Sequence, residues 1–349
     1  MNEDFSNAIY KYGKDIVWSL PCLFQYEPIF GFFQFSLSYM GLDLINANVF
    51  GSPSTVWSGG RAPAIETRIT REKLKKLFNY IQERNGTPTF TFSRVDITKE
   101  DLKDEYANYL LDFGIEHNAR FIVSSDILKD YIKNKSPETE VVASVLKAIY
   151  RFQGSEKIEE PTPEAETEYY NKLLKEYDIV VVRPEYSKLV LTQNPELIDD
   201  ISRIEVLINQ TCIKNCPNAP LHNEILTAQH LGTHAKGEEL FFCYKEKFQD
   251  AELYRYNVAH TYKEVSKLVK SGVKHLKLQG RGEPVPYYEN AVHLAIEMFN
   301  LEGPNIFLLN PDNLTQSSKI FYQEVDKERQ WYYKDAFIGL RILQDKFIR

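Results

Sequence analysis

The sequence is poor in cysteine and has no long apolar run, and each of these absences excludes a class of protein. The 349 residues contain only four cysteines, too few for a small scaffold held together by disulfides. No apolar stretch approaches the length that spans a membrane, and the polar, acidic start MNEDFSNAIYKYGKD is unlike a secretory signal peptide. We therefore expect a cytoplasmic protein with no membrane span.

An excess of positive charge is also missing. The formal net charge is -7, with acidic and basic residues interleaved. A general nucleic-acid binder needs a net basic face for phosphate contacts, so this composition disfavours a nucleic-acid partner while leaving room for a local basic patch. The apolar fraction of 43% is ample for a sizeable core, which indicates a folded enzyme or binding protein.

What the sequence does contain is a regular alternation of short apolar runs and helical stretches. The eight strand candidates are Ile16–Leu20, Leu42–Asn46, Thr89–Phe92, Phe121–Val123, Val141–Val145, Ile179–Val182, Ile204–Ile208 and His275–Leu278. Helical stretches between them include REKLKKLFNYIQERNG, with Gly86 as its stop, and HTYKEVSKLVKSG, which Gly272 closes. Strands that alternate with helices in this way indicate a parallel sheet.

Eight such strands predict a closed (β/α)8 barrel, similar to a TIM barrel. The alternative is an open Rossmann-like sheet, but no GxGxxG motif opens a helix after the first strand. We assign residues 1–310 to the barrel, with an insertion at about 218–258 before the last helix–strand pair. Residues 311–349 are predicted to form C-terminal helices that pack on its outside.

The cysteines concentrate where a barrel would place its active site. Barrel active sites lie at the carboxyl ends of the strands. Cys22 follows the first run, Cys212 and Cys216 follow the seventh, and Cys243 lies in the insertion, which could fold over the same mouth. Thiols placed this way in a reducing compartment are more typical of metal or cluster ligands than of disulfides. An iron–sulfur cluster, a zinc site and unligated thiols all stay open at this point. A radical-SAM cluster does not fit, because Ala219 stands where its third cysteine would be.

Histidines close to these thiols are candidate acid–base groups or substitute ligands. His222, six residues after Cys216, is the best placed of them. His230 and His234 have the spacing of one helix face, but Gly232 interrupts it, so surface or capping roles fit them better.

Arginines and one carboxylate complete the candidate site. Arg281 in LKLQGRGEP lies between two glycines after the last strand, where a guanidinium can bind a carboxylate or phosphate with two hydrogen bonds. Arg183 after the sixth run and Glu283 near Arg281 are further candidates, and Arg61 ends the Gly/Ser-rich stretch GSPSTVWSGGR. The alternatives are a structural salt bridge at Arg281 and a plain flexible loop at residues 51–61. We expect a small anionic substrate or co-substrate.

Two motifs resemble the collagenase-like peptidase family that includes UbiU and UbiV. The first is the strand followed by Asn209, Cys212, Cys216 and Pro217, and the second is GVKHLKLQGR at residues 272–281. The opening DIVWSLPCLFQYEPI and the SGGR at residues 58–61 are also similar to the UbiV-like branch. The resemblance spans most of the barrel and is strong only at the two motifs.

The resemblance implies a TIM-like barrel with a [4Fe–4S] cluster. It implies oxygen-independent hydroxylation, of ubiquinone precursors or RNA bases with prephenate as oxygen source. Cys212 and Cys216 carry over as cluster ligands and Cys22 carries over plausibly. Cys243 departs from the pattern because it follows the Cys-x3-Cys pair instead of preceding it. The substrate does not carry over, and the peptidase name matches no nucleophile in this chain.

Three functions therefore follow from the sequence. The first is a cytoplasmic iron–sulfur barrel enzyme that modifies a small molecule or an RNA base at the barrel mouth. The second is a non-catalytic partner subunit, or a zinc-stabilised binding protein, that associates with a related protein subunit. The third is a peptidase-like protein by family name only.

The predicted anion site is tested by Arg281→Lys. This change keeps the positive charge but removes the planar guanidinium, which can donate two parallel hydrogen bonds to a carboxylate. We therefore expect the fold to be kept and the binding of small dicarboxylates to weaken by roughly 1–3 kcal/mol. A titration with dicarboxylates beside thermal denaturation measures both effects. A stable Lys variant with unchanged affinity would remove Arg281 from the site, and a lowered melting temperature with preserved affinity would assign it a structural salt bridge.

Overall fold

A computed structural model describes residues 15–21, 23–24, 46–60, 62, 65–151, 162–208, 210, 216, 218–233, 260 and 262–278. Within these ranges the chain forms eight parallel strands that pair in sequence order and close into a barrel, β8 pairing with β1. The strands are β1 Val17–Leu20, β2 Asn46–Gly51, β3 Gly86–Phe92, β4 Arg120–Val123, β5 Val141–Ala143, β6 Ile179–Val182, β7 Ile204–Leu207 and β8 His275–Lys277. The predicted (β/α)8 barrel is confirmed.

Two predicted boundaries differ from the structure. The second strand includes Asn46–Gly51, whereas the predicted strand ended at Asn46; residues 42–45 lie outside the described residues. Its position is fixed by pairing, because Ala47 and Val49 lie opposite Trp18 and Leu20 of β1. Gly86 is not a helix stop but the first residue of β3.

The helices occupy the connections between strands. They are α1 Arg71–Gln82, α2 Glu105–Glu116, α3 Asp126–Lys135, α4 Val145–Tyr150, α5 Pro163–Glu176, α6 Ala219–His230 and α7 Tyr262–Lys270. The connection after β6 is helical from Pro184 to Leu191, with a π-helical turn at Ser187–Leu191, and short 3₁₀ turns lie at Asp101–Lys103, Pro195–Leu197 and Ile201–Arg203. No helix in the described part of the chain is long and apolar enough to cross a membrane.

Local signals explain where several helices begin and end. The side chains of Thr70, Asp104 and Thr162 accept hydrogen bonds from backbone N–H groups in the first turns of α1, α2 and α5, which satisfies donors that have no partner inside the helix. Gly272, predicted to close the helix before the last strand, follows α7 with a φ of +107°. This left-handed backbone is one that glycine adopts without strain. Helix α6 lies in the predicted insertion, whereas residues 234–259 and the predicted C-terminal helices at 311–349 lie outside the described residues.

The barrel has two apolar layers. The larger one lies between the strands and the surrounding helices and includes Phe78 of α1, whose ring centre lies 5.5 Å from that of Phe90 of β3. The smaller one consists of alternate strand residues and fills the barrel interior; its members are Phe50, Ile122, Val142, Ile179 and Val181. Successive strand residues point to opposite faces, which separates the two layers.

Charged side chains lie inside the barrel beside this apolar layer. Glu205 of β7 is fully buried, and its two carboxylate oxygens accept hydrogen bonds from Lys277 Nζ of β8 at 2.8 Å and from Ser19 Oγ of β1 at 2.7 Å. Lys277 Nζ also lies 4.3 Å from the centre of the Phe50 ring. Burial alone would raise the pKa of Glu205, but the attraction of Lys277 and Arg120 and the hydrogen bond from Lys277 outweigh it and lower the pKa to about 2.

Replacing Glu205 tests how much this pair stabilises the barrel. Glu205→Gln leaves the Lys277 charge buried without its carboxylate, so we expect a loss of about 3–5 kcal/mol in the free energy of unfolding at neutral pH. Chemical denaturation measures the loss. Because the pKa of Glu205 is lowered in the fold, the wild-type advantage is present above the unfolded-state pKa of about 4.3 and declines as the pH falls toward 2.

The matched control is the double variant Glu205→Leu with Lys277→Met, which removes both charges and keeps apolar volume. We expect it to be more stable than Glu205→Gln alone, since removing both members of a buried pair is often neutral. A double variant less stable than the single one would show that packing, not charge, dominates at this position.

Candidate functional site at the barrel mouth

The carboxyl ends of the strands are covered first by the segment after β2, residues 51–60, which we call the β2 loop. Its Trp57 is fully buried and donates from Nε1 to the carbonyl of Asp101 at 2.7 Å. At the end of β3, Ser93 Oγ donates to the carbonyl of Gly59 at 3.0 Å, and the Arg94 amide donates to the carbonyl of Trp57 at 3.1 Å. The β2 loop is therefore anchored against the end of β3.

Helix α6 packs on the β2 loop. The Gly60 amide donates to Thr227 Oγ1 at 3.0 Å, and His230 Nε2 lies 2.8 Å from the carbonyl oxygen of Thr55. A Cβ atom at Gly59 would lie 2.8 Å from Thr227 Oγ1, so a glycine is required for this close approach. The helix ends at His230, before Gly232. His230 is 3% exposed, so the expected surface position is wrong for this residue.

The other side of α6 contacts α4. Asn223 Nδ2 donates to the Tyr150 hydroxyl at 3.0 Å, and that hydroxyl donates to the carbonyl of Pro220 at 3.2 Å. Burial raises the pKa of Tyr150, partly opposed by the hydrogen bond from Asn223, so the phenol stays protonated at neutral pH. Contacts on both sides thus hold α6 over the edge of the mouth.

This anchoring places two of the predicted site residues at the mouth. Cys216 is half-buried, and its carbonyl accepts a hydrogen bond from the Ala219 amide at the start of α6 at 3.2 Å. His222 is half-buried in the first turn of the same helix, where its amide donates to the carbonyl of Asn218 at 2.8 Å. Cys216 and His222 therefore share the end of α6 that approaches β7.

The remaining predicted ligands and anion-binding residues lie outside the described residues; they are Cys22, Cys212, Cys243, Arg281, Glu283 and Arg61. In the part of the chain that the structure describes, no group of three or more His, Cys, Asp or Glu side chains is gathered to hold a metal. The ligand set of the cluster therefore stays a prediction, and Cys216 is the predicted cysteine ligand that the structure describes.

Arg183 is described, and its surroundings bear on the role predicted for it. It follows β6 directly and forms an ion pair with Glu166 of α5, its Nη2 lying 3.2 Å from Oε1, with both side chains buried. Burial lowers the pKa of Arg183, but the attraction of Glu166 and Glu185 outweighs it and raises the pKa. The Arg183 charge is balanced by a helix on the outside of the barrel, so an anion at the mouth would compete with Glu166 for it.

Four buried hydroxyl groups near the carboxyl ends of β2, β3 and β4 are the polar atoms available to a ligand. Their oxygen atoms have no hydrogen-bond partner among the described residues; they belong to Ser52, Ser58, Thr91 and Ser124. Buried polar atoms in proteins are nearly always paired, so each of these exceptions needs a partner. Uncharged hydroxyls can donate to and accept from a polar substrate.

Sequence reasoning missed two buried pairs. Glu205 and Lys277 interrupt apolar runs in IEVLI and HLKL, and a lone charge within a strand was the signal that could have identified them. Ser187 Oγ lies 2.7 Å from His260 Nε2, with both side chains buried, and burial lowers the pKa of His260 to about 3. This buried serine–histidine pair connects the segments after β6 and β7.

The docking of α6 is tested by Thr227→Val. Valine removes the acceptor for the Gly60 amide and the donor to the Asn223 carbonyl, the latter hydrogen bond being 2.8 Å long. We expect the free energy of unfolding to fall by about 1–3 kcal/mol because a buried N–H loses its partner, with faster amide exchange at Gly60. Thr227→Ser keeps the hydroxyl and serves as the control. Equal exchange rates in the two variants would mean that this hydrogen bond does not hold the helix.

Comparison with known proteins gives limited similarity. No protein-family model matches the chain, and no curated protein matches it. Among solved structures, the chain is similar to the U32 peptidase Mk0906, with 12% sequence identity and a TM-score of 0.41 over 77% of this chain and 94% of that one. A structural similarity with this TM-score and sequence identity carries no argument about function.

Proposed function

We propose that this chain is an iron–sulfur barrel enzyme that modifies a small polar substrate at the carboxyl-end mouth. One observation carries the proposal. The packing of α6 on the β2 loop holds Cys216 and His222 at the same end of the barrel as the unpaired hydroxyls of Ser52, Thr91 and Ser124. A thiolate and a row of substrate-binding hydroxyls at one strand-end face are the parts that a cofactor-dependent barrel needs.

Chain connectivity supports the other thiols as ligands. Cys22 is followed by Leu23, whose amide donates to the carbonyl of Phe50 near the end of β2 at 3.1 Å. Cys212 is separated by one residue from Gln210, which follows β7. Consecutive Cα atoms are about 3.8 Å apart, so the described neighbours Leu23 and Gln210 are the structural basis for including both thiols in the proposed ligand set. Cys243 is a further candidate thiol, and the fourth ligand is Cys22 or His222.

The donor chemistry fits a cluster. Iron–sulfur clusters are usually held by four cysteine thiolates from loops, and this chain has four cysteines. A [4Fe–4S] cluster bound there would supply electron transfer or a Lewis-acidic iron next to the substrate. The protein's own residues would bind and orient the substrate, through the hydroxyls of Ser52, Thr91 and Ser124 and through Arg281 with Glu283.

The proposed reaction class comes from the family resemblance and from charge. The two motifs shared with UbiU and UbiV relatives favour an oxygen-independent hydroxylation or a related modification. Net charge of -7 favours a small molecule over an RNA base as the substrate. In the alternative function, zinc would bind the same thiols in place of the cluster and stabilise the fold. A related protein subunit would be the partner if the chain alone has no activity.

Metal analysis tests the proposal. Protein purified without oxygen should contain about four iron and four acid-labile sulfide per chain and absorb visible light, as four-thiolate clusters do. Cys212→Ser and Cys216→Ser should each abolish or strongly reduce this content, because loss of one thiolate exposes an iron that dissociates. Iron and sulfide assays with the visible spectrum provide the measurement.

Gln229→Ala, an exposed change on the same helix as His222, is the control and should keep the full content. Retention of the cluster in Cys22→Ser would make His222 the candidate fourth ligand, with His222→Gln as the next variant. The cluster proposal is contradicted if protein purified without oxygen contains zinc alone or no metal. A protein that contains the cluster but turns over substrate only with a related subunit would support the partner-subunit function in place of the enzyme.

A further inference from the structure

A second cavity lies at the opposite, amino-terminal end of the barrel. Its volume is about 400 Å³, within the usual range for small-molecule sites. The wall is made by residues at or just before strand starts, including Asn46 of β2, Asn118 before β4 and Glu140 before β5. The cavity is therefore separate from the mouth, and the apolar interior layer that contains Ile122 and Val142 lies between them.

Arg120, the first residue of β4, brings an incompletely paired guanidinium to this cavity. The residue is 6% exposed and forms an ion pair through Nε with Glu140, whose side chain is 45% exposed. Its Nη2 is buried and has no hydrogen-bond partner among the described residues. Because a buried guanidinium nitrogen is costly to leave unpaired, this atom is suited to donate to a ligand in the cavity.

His275, the first residue of β8, contributes a second group of the same kind. Its Nδ1 is buried without a hydrogen-bond partner in the described part of the chain. Burial has the largest influence on its pKa and, with the charges of Arg120 and Lys274, lowers it to about 4 against the attraction of Glu205. The imidazole is therefore neutral at neutral pH, and Asn48 and Thr87 line the cavity beside it.

The cavity wall has no excess of positive charge, because Arg120 faces two carboxylates, Glu138 and Glu140. Arg120 is paired with Glu140, and Lys277 deeper in the barrel is paired with Glu205. The remaining charged residue of the wall is Glu138, an exposed carboxylate. An anion would meet two carboxylates at the rim and no excess of positive charge, and a cation would meet the Arg120 guanidinium. The two carboxylates thus disfavour an anion and the guanidinium disfavours a cation, which leaves a neutral ligand as the best fit.

We propose that this amino-terminal cavity binds a neutral, polyhydroxylated small molecule of mono- or disaccharide size. Hydroxyl groups both donate and accept, which matches a wall of amides, a threonine hydroxyl, a neutral imidazole and a guanidinium N–H. A hydroxyl oxygen accepts from Arg120 Nη2, and a second hydroxyl pairs with His275 Nδ1. The proposal is independent of the cluster at the mouth, because the cavity lies at the opposite end of the barrel and Cys216, the cysteine that the structure describes, does not line it.

Calorimetric titration of the full-length protein with glucose, ribose and trehalose tests the proposal, with inorganic phosphate and acetate as the anionic probes. We expect saturable binding of at least one of the three sugars at one site per chain and none of either anion. Arg120→Lys keeps the charge beside Glu140 but loses the Nη2 donor, so the Kd should rise roughly tenfold, as expected for a charge-assisted hydrogen bond. Thr87→Val keeps the volume and should also weaken binding.

Thr233→Val, an exposed change after α6 at the other end of the barrel, is the control and should leave the Kd unchanged. Melting temperatures of all variants show whether each one folds, and Thr87→Val tests the site should Arg120→Lys fail to fold. The proposal is overturned if none of the three sugars binds at millimolar concentration. It is equally overturned if phosphate or acetate saturates the site, or if folded Arg120→Lys and Thr87→Val bind sugar as the wild type does.

Discussion

The pairing of β8 with β1 is the constraint on which the other features depend. It closes the sheet, so that every strand has two neighbours and both ends of the barrel become defined. β8 is only three residues long, and its register is Val17 opposite His275 and Ser19 opposite Lys277. The Ser19–Glu205–Lys277 network crosses this same junction, joining β7, β8 and β1 from inside. Hydrogen bonds of a short strand are thus supplemented by a buried ion pair at the point of closure.

Closure in parallel order also decides which segments meet. All carboxyl ends lie on one side, so the β2 loop and α6, about 170 residues apart in sequence, come into contact there. The contact relies on backbone and hydroxyl groups more than on apolar surface: the Gly60 amide on Thr227, and the Thr55 carbonyl on His230. Cys216 lies three residues before α6, and its carbonyl accepts a hydrogen bond from the first residue of this helix, so the orientation of α6 influences where Cys216 lies.

The sequence was sufficient for the barrel because strand positions depend on local apolar runs and the closing topology depends on their number. It ended β2 at Asn46 because the apolar run LDLIN stops there, whereas pairing of Ala47 and Val49 with β1 extends the strand to Gly51. It identified Cys216 and His222 from their position after a strand, but not the contacts of α6, which join residues distant in sequence. The Glu166 partner of Arg183 lies on the preceding helix, so only the folded chain shows that the charge is already balanced.

Buried polar groups in the middle of the barrel are hydrogen-bonded to each other, whereas several of those at its two ends are not. Inside the barrel, Glu205 and Lys277 are costly to bury, and they are fully hydrogen-bonded to each other and to Ser19. At the two ends, buried polar atoms lack hydrogen-bond partners among the described residues. They belong to hydroxyl groups at the mouth and to Arg120 and His275 at the opposite end. Local violations of polar pairing are expected where a protein binds something else. The middle of the barrel therefore stabilises the fold, and each end is left with hydrogen-bonding capacity for a ligand of its own.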